Sequence, residues 1–152
     1  MELRLGSQVF HPGDFVLWND IAPGARPLVG DQMAGTAAAT RAGLVCADPA
    51  VAARAGVRPD GIVVDAGTMP TAALVEACLS TGHAVLVTLD RPDGAATEPD
   101  PGVLAAVSVY AWLGVRVFRA DPRDSDPVRQ VLDMVASIKG TRPPARTVRG
   151  LA

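Results

Sequence analysis

The stretch IVVDAGTMPTAALVEACLSTGHAVLVT, residues 62–88, reads as one strand–helix–strand unit. Ile62, Val63 and Val64 make a continuous apolar run, as expected of a strand buried on both faces of a parallel sheet. Between 71 and 81, Leu74, Val75, Cys78 and Leu79 recur at helical spacing, and Gly82 is placed to stop that helix. AVLVT at 84–88 returns to strand. Two strands joined through a helix must run parallel, with a right-handed crossover.

The same alternation continues outward. Upstream, FVLWN at 15–19 and GLVCA at 43–47 read as strands. Residues 31–42, rich in alanine and threonine, predict a helix of small residues, and 49–55 a short helix ended near Gly56. Downstream, 90–100 holds Pro92, Gly94 and Pro99 and reads as a loop. Asp100 followed by Pro101 opens a helix that runs to about Leu113 and is apolar on most sides. VRVFR at 115–119 is a fifth strand. Ser125 or Asp126 caps a last helix with a buried stripe of Val128, Val131, Leu132, Val135 and Ile138, stopped by Gly140. Residues 2–10 predict one further strand, turned back by Pro12-Gly13. The expected organisation is a strand-and-turn extension over 1–14, a five-strand α/β domain over 15–140, and a mobile basic tail over 141–152. The alternation by itself fits an open doubly wound sheet or part of a βα barrel.

Composition narrows the function classes. With 152 residues, 49% hydrophobic and 20% charged, the chain has material for one well-buried core. A formal net charge of −2 and 4% aromatic residues give no support for nucleic-acid binding. No apolar run approaches the roughly 20 residues that span a bilayer, and the N-terminus lacks a signal-peptide core, so a cytoplasmic location is expected. Cys46 and Cys78 form no CxxC and read as reduced core thiols. His11 and His83 are isolated, and no spacing fits a metal site. There is no Walker loop, GxGxxG or Gly-x-Ser-x-Gly motif. No cofactor is expected.

Four strand ends carry a family resemblance. FVLWNDI at 15–21 is similar to a dihydropteroate synthase strand ending in Asn-Asp-Val. Ala55-Gly56-Val57 with GIVVDAG at 61–67 resembles the segment leading to that family's Asp-Pro-Gly. AVLV at 84–87 followed by Asp90-Arg91-Pro92 resembles the strand before Ser-Arg-Lys. VRVFRAD at 115–121, after an alanine-rich helix and Gly114, resembles the closing Arg-x-His strand. The resemblance covers residues 15–140 and implies a partial TIM-like barrel, strands four to eight. It implies a tentative pterin-type site of Asn19, Asp65, Arg91 and Arg119. On the residues alone, Asn19 and Asp65 also fit helix caps or loop anchors; Arg91, Arg116 and Arg119 fit an anion site, or Arg116 and Arg119 fit pairs with nearby acids such as Asp121 or Asp124.

The departures from the pattern are chemical. Pro92 stands where the family has its pterin-binding lysine, Asp121 where it has a histidine that contacts the diphosphate, and Asp90 where it has serine. The reaction expels pyrophosphate, which needs donors or positive charge around the leaving group. The resemblance therefore implies a divergent protein without synthase activity on its own and without catalytic residues, acting as a binding or partner subunit. The alternative is an enzyme of pterin or folate metabolism that binds a pterin-type molecule at Asn19 and Asp65. An open half-barrel would leave inward side chains and strand edges in water. A homodimer through the last two helices, or a partner subunit completing the barrel, is the expected remedy.

Overall fold

A computed structural model describes residues 1–91 and 98–141. Among the described residues six parallel strands form the main sheet: β3 (Val16–Leu17), β4 (Leu28–Val29), β5 (Leu44–Cys46), β6 (Ile62–Thr68), β7 (Ala84–Thr88) and β8 (Val117–Arg119). The sheet curls into part of a βα barrel, flanked by helices. The five expected strands are all present. The sixth, β4, is too short to give a periodic signal, and 28–29 had no assignment.

The strand order differs from the sequence order: β3 pairs with β8, so the sheet runs β3-β8-β7-β6-β5-β4. Val16 lies opposite Val117 and Leu17 opposite Phe118. A closed βα barrel has the same neighbourhood where its first strand meets its last. The gap in the barrel therefore falls between β3 and β4. The chain crosses it in the short link 18–27.

Among the described residues five helices cover the convex side: α1 (Ala34–Thr40), α2 (Pro49–Arg54), α3 (Ala72–Leu79), α4 (Pro101–Leu113) and α5 (Ser125–Ile138). Their starts are chemically marked. Asp48, Thr71 and Asp100 accept hydrogen bonds from Ala50, Leu74 and Gly102 N–H groups, satisfying donors that a first turn leaves open. The helix expected over 31–42 is shorter, because 31–33 form a 3-10 turn. Asp124, not Ser125 or Asp126, holds the N-cap position of α5. Val75, Val107, Ala111, Val128 and Leu132 pack onto Val85, Val87 and Phe118 in the main core. Phe118 is fully buried and meets Phe15 edge-on at 6.2 Å. Among the described residues, no helix is long and apolar enough to cross a membrane.

The single strand expected over 2–10 is a hairpin: β1 (Leu3–Leu5) and β2 (Gln8–Phe10) pair antiparallel around Gly6, whose φ of +56° suits the tight turn. This hairpin resolves the difficulty of an open half-barrel. Leu3 and Leu5, with Ile21 and Ala25 from the link, pack against Val16, Val45, Val63, Leu86 and Val117. The concave face is thus filled by the chain itself. Gly43 permits the close approach, since a Cβ there would lie 2.8 Å from a Leu5 methyl. Arg116 anchors the hairpin from below, donating to the carbonyls of Met1, Phe10, His11 and Asp14. The expected alternative for Arg116 was an acid, but at the start of a strand its neighbours are backbone oxygens. The edge strands β3 and β4 are two residues each, short enough to blunt edge pairing. The expected tail lies, beyond Thr141, outside the described residues, as do 92–97 of the expected loop.

Candidate functional site

Parallel strands bring their C-terminal ends to one face, where barrel sites are built. Asn19 sits there in the 3-10 turn Trp18–Asp20 that follows β3. Its amide donates to Ser125 Oγ at 3.1 Å and to the Ala120 carbonyl at 3.4 Å. Asn19 thus ties the end of β3 to the link between β8 and α5. Arg119 ends β8 beside it, with its guanidinium 4.2 Å from the centre of the Trp18 ring. Cation–π contact of this kind contributes on the order of 1 kcal/mol. The Arg119 Nε is buried without a hydrogen-bond acceptor among the described residues.

Asp65 lies within β6, where the pairing with β7 slips between Asp65 and Thr68. Its carboxylate accepts from the Gly67 N–H at 2.8 Å, and Gly67 and Met69 have φ of +85° and +45°. Asp65 lines a cleft of about 490 Å³ at the ends of β4, β5 and β6, together with Gly30, Asp31, Cys46 and Ala47. Asn19, Arg91 and Arg119 do not line it. Asn19 and Arg119 stand over β3 and β8, and Asp65 over β6.

Arg91 is committed elsewhere. It donates to Asp124 Oδ1 at 2.7 Å, and both side chains are buried, at 7% and 4% exposure. It also donates to the Glu98 carbonyl at 3.2 Å. Asp121, in the place of the family's histidine, receives the Arg123 side chain at 2.9 and 3.0 Å and the Arg123 N–H at 2.9 Å. Those hydrogen bonds hold its carboxyl well below the usual carboxylate range, so it stays ionised. The pairs with Asp121 or Asp124 expected of Arg116 and Arg119 are not the ones formed: Asp124 pairs with Arg91 and Asp121 with Arg123.

Asp31 and Trp18 were not singled out by their sequence context. Asp31 follows a two-residue strand and accepts from the Ala47 N–H at 2.9 Å. Burial, then Asp31 and Asp48, push the Cys46 thiol up to about 11, so it stays protonated and unreactive near neutrality. Among the described residues no cluster of His, Cys, Asp and Glu could hold a metal ion. The cleft is lined by the carboxylates of Asp31 and Asp65 beside Gly30 and Gly67. It offers no cationic side chain for a diphosphate.

No family profile matches the chain. Curated relatives do. The inactive dihydropteroate synthase 2 of Mycobacterium leprae is 46% identical over 85 residues, covering 51% of this chain and 28% of that protein. That of Mycobacterium tuberculosis is 46% identical over 79 residues, covering 47% and 24%. The matched stretch is thus about a quarter of the relatives' length. The solved structure of Mycobacterium tuberculosis Rv1207 superposes with a TM-score of 0.60 at 30% identity, over 80% of this chain and 64% of that one.

Proposed function

We propose that this dihydropteroate-synthase-like chain makes no dihydropteroate and acts as a non-catalytic binding or partner subunit. The observation that carries the reading is the buried Arg91–Asp124 pair. Turning Arg91 toward a departing pyrophosphate would strand the Asp124 carboxylate in the interior, at a cost of about 3–5 kcal/mol. Asp121 brings an ionised carboxylate, held by Arg123, where the resembled family has a donor for the diphosphate. Pro92 has no ammonium to offset either. Pterin diphosphate and p-aminobenzoate incubated with the purified protein should give no dihydropteroate, with or without Asp121→His. Turnover by the unaltered chain would end this reading.

The surface for a partner is the outer side of α4 and α5. Val109, Trp112, Met134 and Ile138 are at least half exposed there, and Lys139 lies 5.7 Å from the Trp112 ring. A second copy is the occupant we favour, in a cytoplasmic setting. Light scattering at micromolar concentration should give a dimer mass, and Trp112→Glu with Met134→Glu a monomer.

One observation favours a second reading. Asp65 and Asp31 line the same cleft, so a pterin-type ligand of folate metabolism has acceptors for its ring N–H groups. Calorimetry with pterin, dihydropteroate and folate tests it: binding abolished by Asp65→Ala supports this reading, and no heat with any of the three removes it.

A further inference from the structure

The N-terminal end of β8 carries a pair of cations, opposite the end where Arg119 stands. Arg116 and Lys139 line one cavity of about 190 Å³ with Gly13, Phe15, Gly114 and Thr141. Among the described residues no acid lines it. Asp14 lines the neighbouring groove instead, and its carboxylate accepts the His11 N–H at 2.8 Å. Among the described residues neither cation forms an ion pair. Their acceptors are carbonyls: those of Met1, Phe10, His11 and Asp14 for Arg116, and those of Ala111 and Trp112 for Lys139. A guanidinium has five N–H groups and an ammonium three. Arg116 Nη1 and Lys139 Nζ therefore each keep one N–H without an acceptor among the described residues.

The charge does not close either. Lys139 sits on the last carbonyls of α4 and follows the last turn of α5. Each helix end carries about half a negative charge, so the two offset about one of the two positive charges. Burial pulls the Arg116 guanidinium below its ordinary value, and Asp14 offsets only part of that. A partly buried cation without a carboxylate is a charge the fold leaves uncompensated. The size is also suitable. A water takes about 30 Å³ of the liquid, so the cavity has room for a small oxyanion with a short apolar group beside Phe15. Gly13 and Gly114, with φ of +93° and +119°, put no Cβ into its walls.

We propose that this cavity binds a small oxyanion, a phosphate or carboxylate group, between Arg116 Nη1 and Lys139 Nζ. It shares no residue with the Asp65 cleft. The isotope-labelled full chain, titrated at fixed ionic strength with sodium phosphate and separately with sodium acetate, tests this by nuclear magnetic resonance. One anion or both should move the Gly13 and Thr141 amides and the Arg116 Nε–H along a saturating curve. Lys139→Gln should raise the half-saturation concentration at least tenfold. Arg119→Ala, at the other end of β8, should leave it unchanged. Should Lys139→Gln fail to fold, the Arg116 Nε–H response of the unaltered chain decides. No saturable shift with either anion overturns the proposal. An unchanged curve in Lys139→Gln overturns it too. So does a shift abolished by Arg119→Ala, because the anion would then sit at the opposite end of the strand.

Discussion

Replacing Asp124 by alanine removes one half of an ion pair that water does not reach. Arg91 Nη1 lies 2.7 Å from Asp124 Oδ1, and the two side chains retain 7% and 4% of their exposure. Surface pairs are worth about 0–1 kcal/mol, but a buried charge left unpaired costs about 3–5 kcal/mol. With a urea m-value near 2 kcal/mol/M, the expected fall in the denaturation midpoint is about 2 M. The melting temperature should fall by roughly 10 °C for a chain of this size. Asp124→Leu combined with Arg91→Met should recover much of the loss, because two apolar side chains leave no stranded charge. The double-mutant cycle should then show a coupling of 1–3 kcal/mol between the positions, on the order expected of contacting groups. If Asp124→Ala shifts the midpoint by less than about 0.5 M, or if the two substitutions are additive, the pair is not what consumes Arg91. The explanation for the missing anion site would fail with it.

Four further outcomes are expected. Asp121 is ionised more readily folded than unfolded, because Arg123 donates to it. Its contribution is present above the ordinary carboxylate value and is lost as pH falls below about 4. Asp121→Asn should therefore flatten the acid limb of stability measured by urea titration at successive pH values. Arg116→Met removes donors from four carbonyls at the base of the hairpin. It should destabilise the fold by about 2–3 kcal/mol, with amide exchange in Leu3–Leu5 rising first. Cys46, buried and pushed up to about 11, should resist iodoacetamide at pH 8 in the folded chain and react after unfolding. Phe118→Ala, at the centre of the main core, should cost about 3–5 kcal/mol by calorimetry or urea titration.

The strands legible from the sequence were those with long apolar runs. IVVD at 62–65 and AVLVT at 84–88 are buried on both faces, so their pattern is local and strong. Leu28–Val29 has only two residues, and no periodicity can be read from two. The adjacency of β3 and β8 is not a local property either. It is set by the hairpin and Ile21 filling the concave side, a contact between segments up to a hundred residues apart. The site divided in the same way. Asp65 was visible as a carboxylate ending an apolar run, and Arg91 as the remnant of a motif. That Arg91 is held by Asp124, 33 positions away, depends on how the end of β7 meets the start of α5. Asp31 reaches the Asp65 cleft only because β4, unseen in the sequence, lies beside β5.

The most direct test follows isotope-labelled p-aminobenzoate offered to the purified chain with pterin diphosphate, with product separated and counted. No labelled dihydropteroate above the protein-free blank is the result expected of a chain whose Arg91 is held inside the fold and whose Asp121 opposes a departing anion. Label incorporated by the unaltered protein, and lost in Arg119→Ala, would contradict that account.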